Sequence, residues 1–428
     1  MGTWHPGIVY AGRILDVLGT GQPARLRVLR GDRVVELAVG PEGTGRLAAG
    51  DLIEFTVLDE GGPDGSPRAN RVTRCGGPLP GRPWSAGDAL RWRRLGRQPA
   101  RLALLRLRHE VLRTVRGYFD AQGFLEVETP SLVRAPSPEP QFSPIRAGAE
   151  FLITSPEFQL KRLLVGGAER LVRIGPAFRG GELGRLHNPE FTLVEWYRAH
   201  AETDALAEDL YGLLLSLVPL AEAFATHHPA AETPAPARLQ AAWVLRPLPR
   251  CSVAELFLRH LGMDLRGVTE AAALRTAALA AQWPHAHELD ADFEAAFSLL
   301  WIDVEARFAP EPLLVVDWPA PLASLARLKP GDPTVAERVE LYAGGMELAN
   351  GFAELTDPIQ QRARFEANLA QRRAQGLPPV PLDEAFLQAL EDGMPPSAGM
   401  ALGVDRLVMV VAGVSDIRDV LAFAADER

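Results

Sequence analysis

Three short strings constrain the fold more than any other feature of the chain: FRGGELGRLHNPEFTLVEWYR at 178–198, MELANGFAEL at 346–355 and AGMALGVDRL at 398–407. Each sets arginine or acidic residues beside glycines or an amide inside an otherwise apolar, strand-like run. A charge in such a run is costly unless it meets a counter-charge or a ligand. The strings lie across more than 200 residues, so a fold that joins them must pair distant strands through long helical connections. That is α+β behaviour, with a sheet assembled across the domain, and the junction of the three strings reads as one nucleotide site.

The surrounding pattern agrees. Between 171 and 406 the candidate strands are LVRIG (171–175), FTLVEWYRA (191–199), LLVVDWP (313–319), MELANGFAEL and MALGVDR. Helical spacing of apolar residues predicts helices at 157–165, 202–218, 252–261, 269–281, 290–308, 357–374, 383–392 and 404–412. A further helix over 101–122 ends at Gly123. Residues 1–75 differ in kind: IVYAGRILDV, ARLRVL, RVVELAV, DLIEFTVL and ANRVTRC are short β runs separated by Gly, Pro and Asp clusters. Five such runs predict a small all-β barrel, OB-like. Residues 76–100, rich in Gly, Pro, Trp and Arg, read as a linker, and 101–428 as the catalytic domain.

Charge is uneven. Residues 1–75 hold nine Arg against nine acids and 76–110 eight Arg against two, while the rest carries a net charge of −15. Attraction for polyanions is therefore confined to the linker. Only Cys75 and Cys251 are present, which excludes a disulfide framework or cysteine-rich metal site. No apolar run reaches the ~18 residues of a membrane helix and MGTWHPGIVY lacks signal-peptide character, so a cytoplasmic location is expected. GxGxxG, GxxxxGK[ST] and GxSxG strings are missing, and the nucleotide site belongs to none of those classes.

Individual residues carry the chemistry. Arg179 stands beside Gly180 and Arg406 three residues after Gly403, each at the end of a β-like run, suited to gripping phosphate oxygens at either end of a triphosphate, or to pairing with carboxylates. Glu347 and Glu354 flank Asn350-Gly351-Phe352; Mg²⁺ bound to a nucleotide would supply their counter-charge, as would arginine. Seven residues apart on a flat strand they would face opposite ways, so a bulge at Asn350-Gly351 is expected to turn one back. Glu195 and Tyr197 share a face, and Glu157 follows Ser155-Pro156 at a helix start; carboxylates beside a phenol suit an ammonium group.

These strings carry a family resemblance. GFLEVETPSL (123–132), FRGGELGRLHNPEF and AGMALGVDRL resemble motifs 1, 2 and 3 of the class II aminoacyl-tRNA synthetases, in the right order. TSPEFQLKRLL (154–164), HNPEFTLVEWYR and ELANGFAELTDP resemble the lysyl-tRNA synthetase branch. VVDWPAPLASLAR, GDPTVAERVELYAGGMELANGF and GMPPSAGMALGVDRLVM resemble the elongation factor P–(R)-β-lysine ligase group within it.

The resemblance implies a six- or seven-stranded antiparallel sheet flanked by helices, a homodimer joined at motif 1, and ATP with Mg²⁺ as cosubstrate and cofactor. It places Arg179 on the α-phosphate and Arg406 on the γ-phosphate as catalytic groups, with Glu182, His187, Asn188, Glu347, Leu348 and Gly403 along the nucleotide. Glu347 and Glu354 would hold metal. Ser155, Glu157, Glu195, Tyr197, Asn350, Glu354 and Ala401 would line a pocket for β-lysine or lysine. The expected reaction is adenylate formation and transfer to a lysine of elongation factor P; aminoacylation of tRNA and a non-catalytic binding module are the alternatives.

Three departures stand out. The motif 2 pattern FRxE puts glutamate at 181, where this chain has Gly181 followed by Glu182. Ala401 replaces the glycine usual in lysyl-tRNA synthetases, adding a methyl to the pocket floor that favours a β-amino acid through fit worth ~1–3 kcal/mol. The ligase group typically lacks an N-terminal β domain, and this one offers only Trp4 and Phe55 as large aromatic platforms for RNA.

Overall fold

The computed structural model describes residues 5–6, 8–19, 24–30, 33–40, 47–59, 67–77, 99–228, 237–289 and 292–427. The chain forms two compact units, Met1–Arg106 with Ala422–Arg428, and Leu107–Leu421.

In the first unit β1 (Val9–Gly19), β2 (Ala24–Arg30), β3 (Arg33–Val39), β4 (Leu52–Asp59) and β5 (Arg68–Gly76) close a barrel in the order β1-β2-β3-β5-β4. β1 pairs antiparallel with both β2 and β4, while β3 and β5 run parallel, an OB-like arrangement. Alternating burial along β2 sends Leu26 and Val28 inward against Ile14, Leu37 and Val57. Phe55 is fully buried among them, which removes it as a stacking platform; Trp4 lies outside the described residues. The expected basic linker lies outside them too, except for its ends.

The second unit is built on a nine-stranded sheet. Its strands, with those of a small three-stranded sheet, are β6 (Leu125–Glu126), β7 (Leu132–Val133), β8 (Arg146–Ala147), β9 (Glu150–Leu152), β10 (Arg170–Phe178), β11 (Glu190–Ala199), β12 (Arg250–Ser252), β13 (Leu313–Pro319), β14 (Leu328–Lys329), β15 (Asp332–Ala343), β16 (Met346–Ala353) and β17 (Ser397–Gly403). The large sheet runs β12-β13-β15-β16-β17-β11-β10-β6, with β14 beside β15. Its six long strands are antiparallel throughout, as the resemblance implies; only the short strands β6 and β12 pair parallel.

The helices are α1 (Pro99–Ala121), α2 (Glu157–Val165), α3 (Thr203–His227), α4 (Val253–Leu261), α5 (Ala271–Ala280), α6 (Phe293–Glu305), α7 (Pro358–Ala374), α8 (Glu384–Gly393), α9 (Val404–Ala412) and α10 (Ile417–Val420). Gly123, at φ 74°, ends the run after α1 in the left-handed region. MALGVDR divides: the strand stops at Gly403 and α9 begins at Val404. α3 runs past Pro219 to His227, held by buried Leu214, Leu217, Val218 and Ala221 on both sides of the proline. By length and mean hydropathy α3 is long and apolar enough to cross a membrane, although Asp204, Glu208, Asp209 and Glu222 interrupt its apolar run. Its apolar residues form a core face, and its buried Asp209 accepts from Trp196 and Arg198 of β11.

Sequence reasoning missed β15, which crosses the middle of the sheet. AERVEL has helical composition, but here Arg338 and Glu340 alternate with buried Val339 and Leu341 and point to the face that carries the site.

Candidate active site

One row of directly paired residues crosses the sheet: Arg173 on β10, Glu195 on β11, Ala401 on β17, Asn350 on β16 and Glu340 on β15. The neighbouring row sets Tyr197 against Gly399, Phe352 and Arg338. Side chains two apart on a strand share a face, so these rows bring all three strings and β15 onto one surface. Gly399 has to be glycine: a Cβ there would collide with the Tyr197 ring and sit 2.6 Å from Glu354 Oε1. The expected bulge on β16 exists, but its extra residue is Leu348, opposite the register shift between Leu341 and Tyr342, not Asn350-Gly351. It turns Glu347 onto the face of Asn350 and Phe352.

Two adjoining cavities lie on this surface. The first, about 150 Å³, is lined by Ser155, Glu157, Glu195, Tyr197, Asn350 and Ala401 among others. Glu195 is buried and accepts hydrogen bonds from Ser155 Oγ and Tyr197 Oη, both at 2.7 Å. Burial, then the charge of Glu157, raises its pKa to about 7. Burial also raises Glu157, against the pull of Lys161 at 2.5 Å. Glu354, raised to about 8 by burial and held down by Lys161, is fully buried and ion-pairs with Lys161. The buried carboxylates of Glu195 and Glu354 and the half-buried Glu157 therefore lie around one buried ammonium, that of Lys161.

Glu354 lines neither cavity. Its counter-charge is Lys161, while Glu347 lines the second cavity. Lys161 was the missed residue: its i,i+4 spacing from Glu157 is visible in TSPEFQLKRLL, but its burial is not.

The second cavity, about 350 Å³, holds Arg179, Glu182, His187, Glu347, Leu348, Gly403 and Arg406. Arg179 lies over the Phe142 ring at 4.4 Å and the Phe191 ring at 5.1 Å, with Nε buried and unpartnered. Aromatic faces thus fix the guanidinium plane and leave its edge for an anion. Arg406 donates to Leu186 O at 3.2 Å, Glu347 O at 2.8 Å and His187 Nε2 at 2.7 Å. Since a guanidinium only donates, His187 is neutral with its proton on Nδ1; burial and Arg406 hold its pKa low. Gly181 has φ 79°, a conformation that favours glycine, and Glu182 after it lines the cavity 4.0 Å from Arg179. Asn188 is buried and donates to Glu190 O at 2.5 Å; it lines neither cavity and positions the turn into β11.

Several supports escaped the sequence reading. Asp405 accepts from Arg108 at 2.5 Å and Thr192 N at 2.8 Å, tying the start of α9 to β11. Glu340 accepts from Arg338 at 2.6 Å, Tyr342 Oη at 2.8 Å and Asn350 Nδ2 at 3.2 Å, and burial raises it to about 7. Buried Arg372 donates to Glu139 O, Phe142 O and Pro378 O, bracing the loop under Arg179.

Among the described residues no three His, Cys, Asp or Glu side chains are grouped to hold a metal. Glu347 and Glu340 line the nucleotide cavity, and Asn350 presents a buried, unpartnered Oδ1. That donor set fits a Mg²⁺ ion whose remaining ligands are phosphate oxygens and water.

The family model for class II tRNA synthetases (D, K and N) matches residues 89–427. The chain belongs to the class II tRNA synthetase family. Two relatives named elongation factor P–(R)-β-lysine ligase, from Edwardsiella ictaluri and Erwinia tasmaniensis, are each 37% identical over 339 residues, which is 76% of this chain and 96% of the relative. One of the same name from Salmonella typhi is 36% identical over 331 residues, 74% of this chain and 94% of the relative. The chain is thus a ligase of that type within the family. About three quarters of it spans those relatives almost whole, and the family match begins after the barrel.

Proposed function

We propose that this ligase activates (R)-β-lysine or lysine with ATP and transfers it to a lysine side chain of elongation factor P. One observation carries the reading: a cavity lined by the carboxylates of Glu139, Glu157 and Glu195 adjoins one lined by Arg179 and Arg406, with Arg179 and Arg338 on both. The Glu157 and Glu195 carboxylates in the first suit an amino acid bearing two ammonium groups. The second suits the triphosphate.

The seam between the cavities is formed by residues that line both, including Arg179, Leu193, Asn350 and Ala401. There a carboxylate oxygen of the amino acid attacks the α-phosphorus, and the bond to pyrophosphate breaks. Arg179, seated against Phe142 and Phe191, takes the charge that develops on the α-phosphate; Arg406, braced by His187 and Glu347, holds the far end of the triphosphate. Mg²⁺ on Glu347 and Glu340 would neutralise phosphate charge when bound. Ser155 and Tyr197 orient Glu195 toward a substrate ammonium, and Glu157 and Glu354 complete the negative field. Ala401 places its methyl on the seam, against the chain that joins carboxyl to amine, where α- and β-amino acids differ.

A protein acceptor is favoured over tRNA because, among the described residues, the large aromatics of the barrel, Tyr10 and Phe55, are both buried. RNA-reading barrels commonly stack bases on exposed rings. The same reading puts the enzyme in the cytoplasm as a homodimer joined through 123–132, where Leu125 and Leu132 are exposed.

The test is amino-acid-dependent exchange of pyrophosphate into ATP with (R)-β-lysine, lysine and norleucine. Exchange with the diamino acids and none with norleucine supports the pocket assignment. Equal exchange with norleucine overturns it.

A further inference from the structure

A third cavity, about 240 Å³, reaches the same seam. It shares Glu139, Gln141, Ser324 and Arg338 with the amino-acid cavity, and Gln141, Glu294 and Arg338 with the nucleotide cavity. Gln141 and Arg338 therefore stand where all three meet. Activation fills the first two cavities and leaves the third unused, although it opens on the seam where the activated carbonyl is made.

We propose that the third cavity receives the acceptor's amine and that Glu294 takes its proton. This rests on the transfer reading above and adds the path and the base. The walls suit a primary amine on a slender chain. The carboxylate of buried Glu139 accepts from Ser137 Oγ at 2.9 Å and from Ser324 Oγ, and it forms no ion pair among the described residues. Glu294 lies in the first turn of α6 with Asp292 as its N-cap. Glu139, Asp292 and Arg338 act on it, and Arg364, which donates to Ser324 O and Ala326 O at 2.7 Å, stands on the same cavity. Burial first, then Glu139 and Asp292, hold the Glu294 carboxyl above the usual range, while Arg338 opposes them. A carboxylate with a raised pKa is a better proton acceptor near neutral pH. The two guanidiniums meanwhile disfavour the ammonium form of the incoming group.

The step balances without a further reactant. The neutral amine nitrogen attacks the carbonyl carbon of the mixed anhydride, and a C–N bond forms. The bond from that carbon to the phosphate oxygen breaks, its electron pair leaving on AMP. The proton shed by the nitrogen passes to Glu294, leaving an amide.

Two substitutions in the full-length enzyme test this, with purified elongation factor P as acceptor. For Glu294→Gln the ratio of transfer to pyrophosphate exchange should fall about 100-fold, and the rise of transfer with pH expected of the unaltered enzyme should be lost. Ala367, exposed on α7 and lining the third cavity, is the second site. Ala367→Trp should lower transfer to the protein relative to capture of the activated acyl group by hydroxylamine, which is small enough to pass. If both ratios match those of the unaltered enzyme, the inference is overturned while the transfer reading stands. If the unaltered enzyme exchanges pyrophosphate but never labels elongation factor P, the transfer reading falls and this inference with it.

Discussion

Glu195→Gln sets substrate recognition against stability. In the free enzyme the Glu195 carboxyl is buried and its pKa is about 7, against an ordinary 4.5. Between those values the folded protein keeps a proton that the unfolded chain has released. Stability therefore falls as pH rises from about 4.5 through 7 and stays reduced above it. At ~1.4 kcal/mol per pH unit, the burden approaches ~3 kcal/mol for this one group. Glutamine keeps the shape, accepts from the Ser155 or Tyr197 hydroxyl, and carries no charge. Without substrate, the variant should be more stable than the unaltered enzyme by ~1–3 kcal/mol at pH 8.5, with the gap closing toward pH 5. Recognition moves the other way: loss of a charge-assisted hydrogen bond to the substrate ammonium costs ~1.5–3 kcal/mol, or a ~10- to 150-fold rise in KM for the amino acid. Urea titrations at pH 5 and 8.5, with and without (R)-β-lysine, read the first effect, and pyrophosphate exchange reads the second. A variant that is less stable at pH 8.5, or that binds substrate as well as the unaltered enzyme, would refute the reasoning.

Other substitutions probe the remaining parts. Arg179→Lys loses the planar group that lies against Phe142 and Phe191, so kcat for exchange should fall ~100- to 1000-fold with little change in amino-acid KM; full activity would remove Arg179 from the α-phosphate. Ala401→Gly removes the methyl on the seam and should move the ratio of kcat/KM for (R)-β-lysine over lysine by ~10-fold toward lysine; an unchanged ratio would make Ala401 irrelevant to substrate choice. Leu125 is 60% exposed within motif 1, and Leu125→Asp should halve the mass seen by light scattering while leaving the circular dichroism unchanged. A variant that keeps the unaltered enzyme's dimer mass would move the interface elsewhere.

Elements with a clear period were legible in the sequence. All five barrel strands follow from apolar alternation between turn clusters, and α2 and α9 have the predicted bounds because apolar spacing and flanking glycine or proline agree. β15 was hidden because its site-facing side chains are Arg338 and Glu340, whose composition looks solvent-exposed or helical. The charges at the heart of the site were hidden for the same reason. A sequence shows that Glu354 and Lys161 are charged, but only packing shows that they neutralise each other beneath Gly399. The two arginines, the Glu195–Tyr197 pair and Ala401 were legible because glycine, an apolar context and the motif pattern mark them. The bulge was inferred from the need to turn a glutamate and was placed two residues late, since turn chemistry favoured Asn350-Gly351 over Leu348.

The central claim is that the activated diamino acid goes to a protein amine. The most direct measurement supplies labelled (R)-β-lysine and ATP together with equal amounts of elongation factor P and tRNA, and follows the label. The account predicts an alkali-stable amide on a single lysine of elongation factor P and no label on tRNA. Label found only as an alkali-labile ester on tRNA would contradict it.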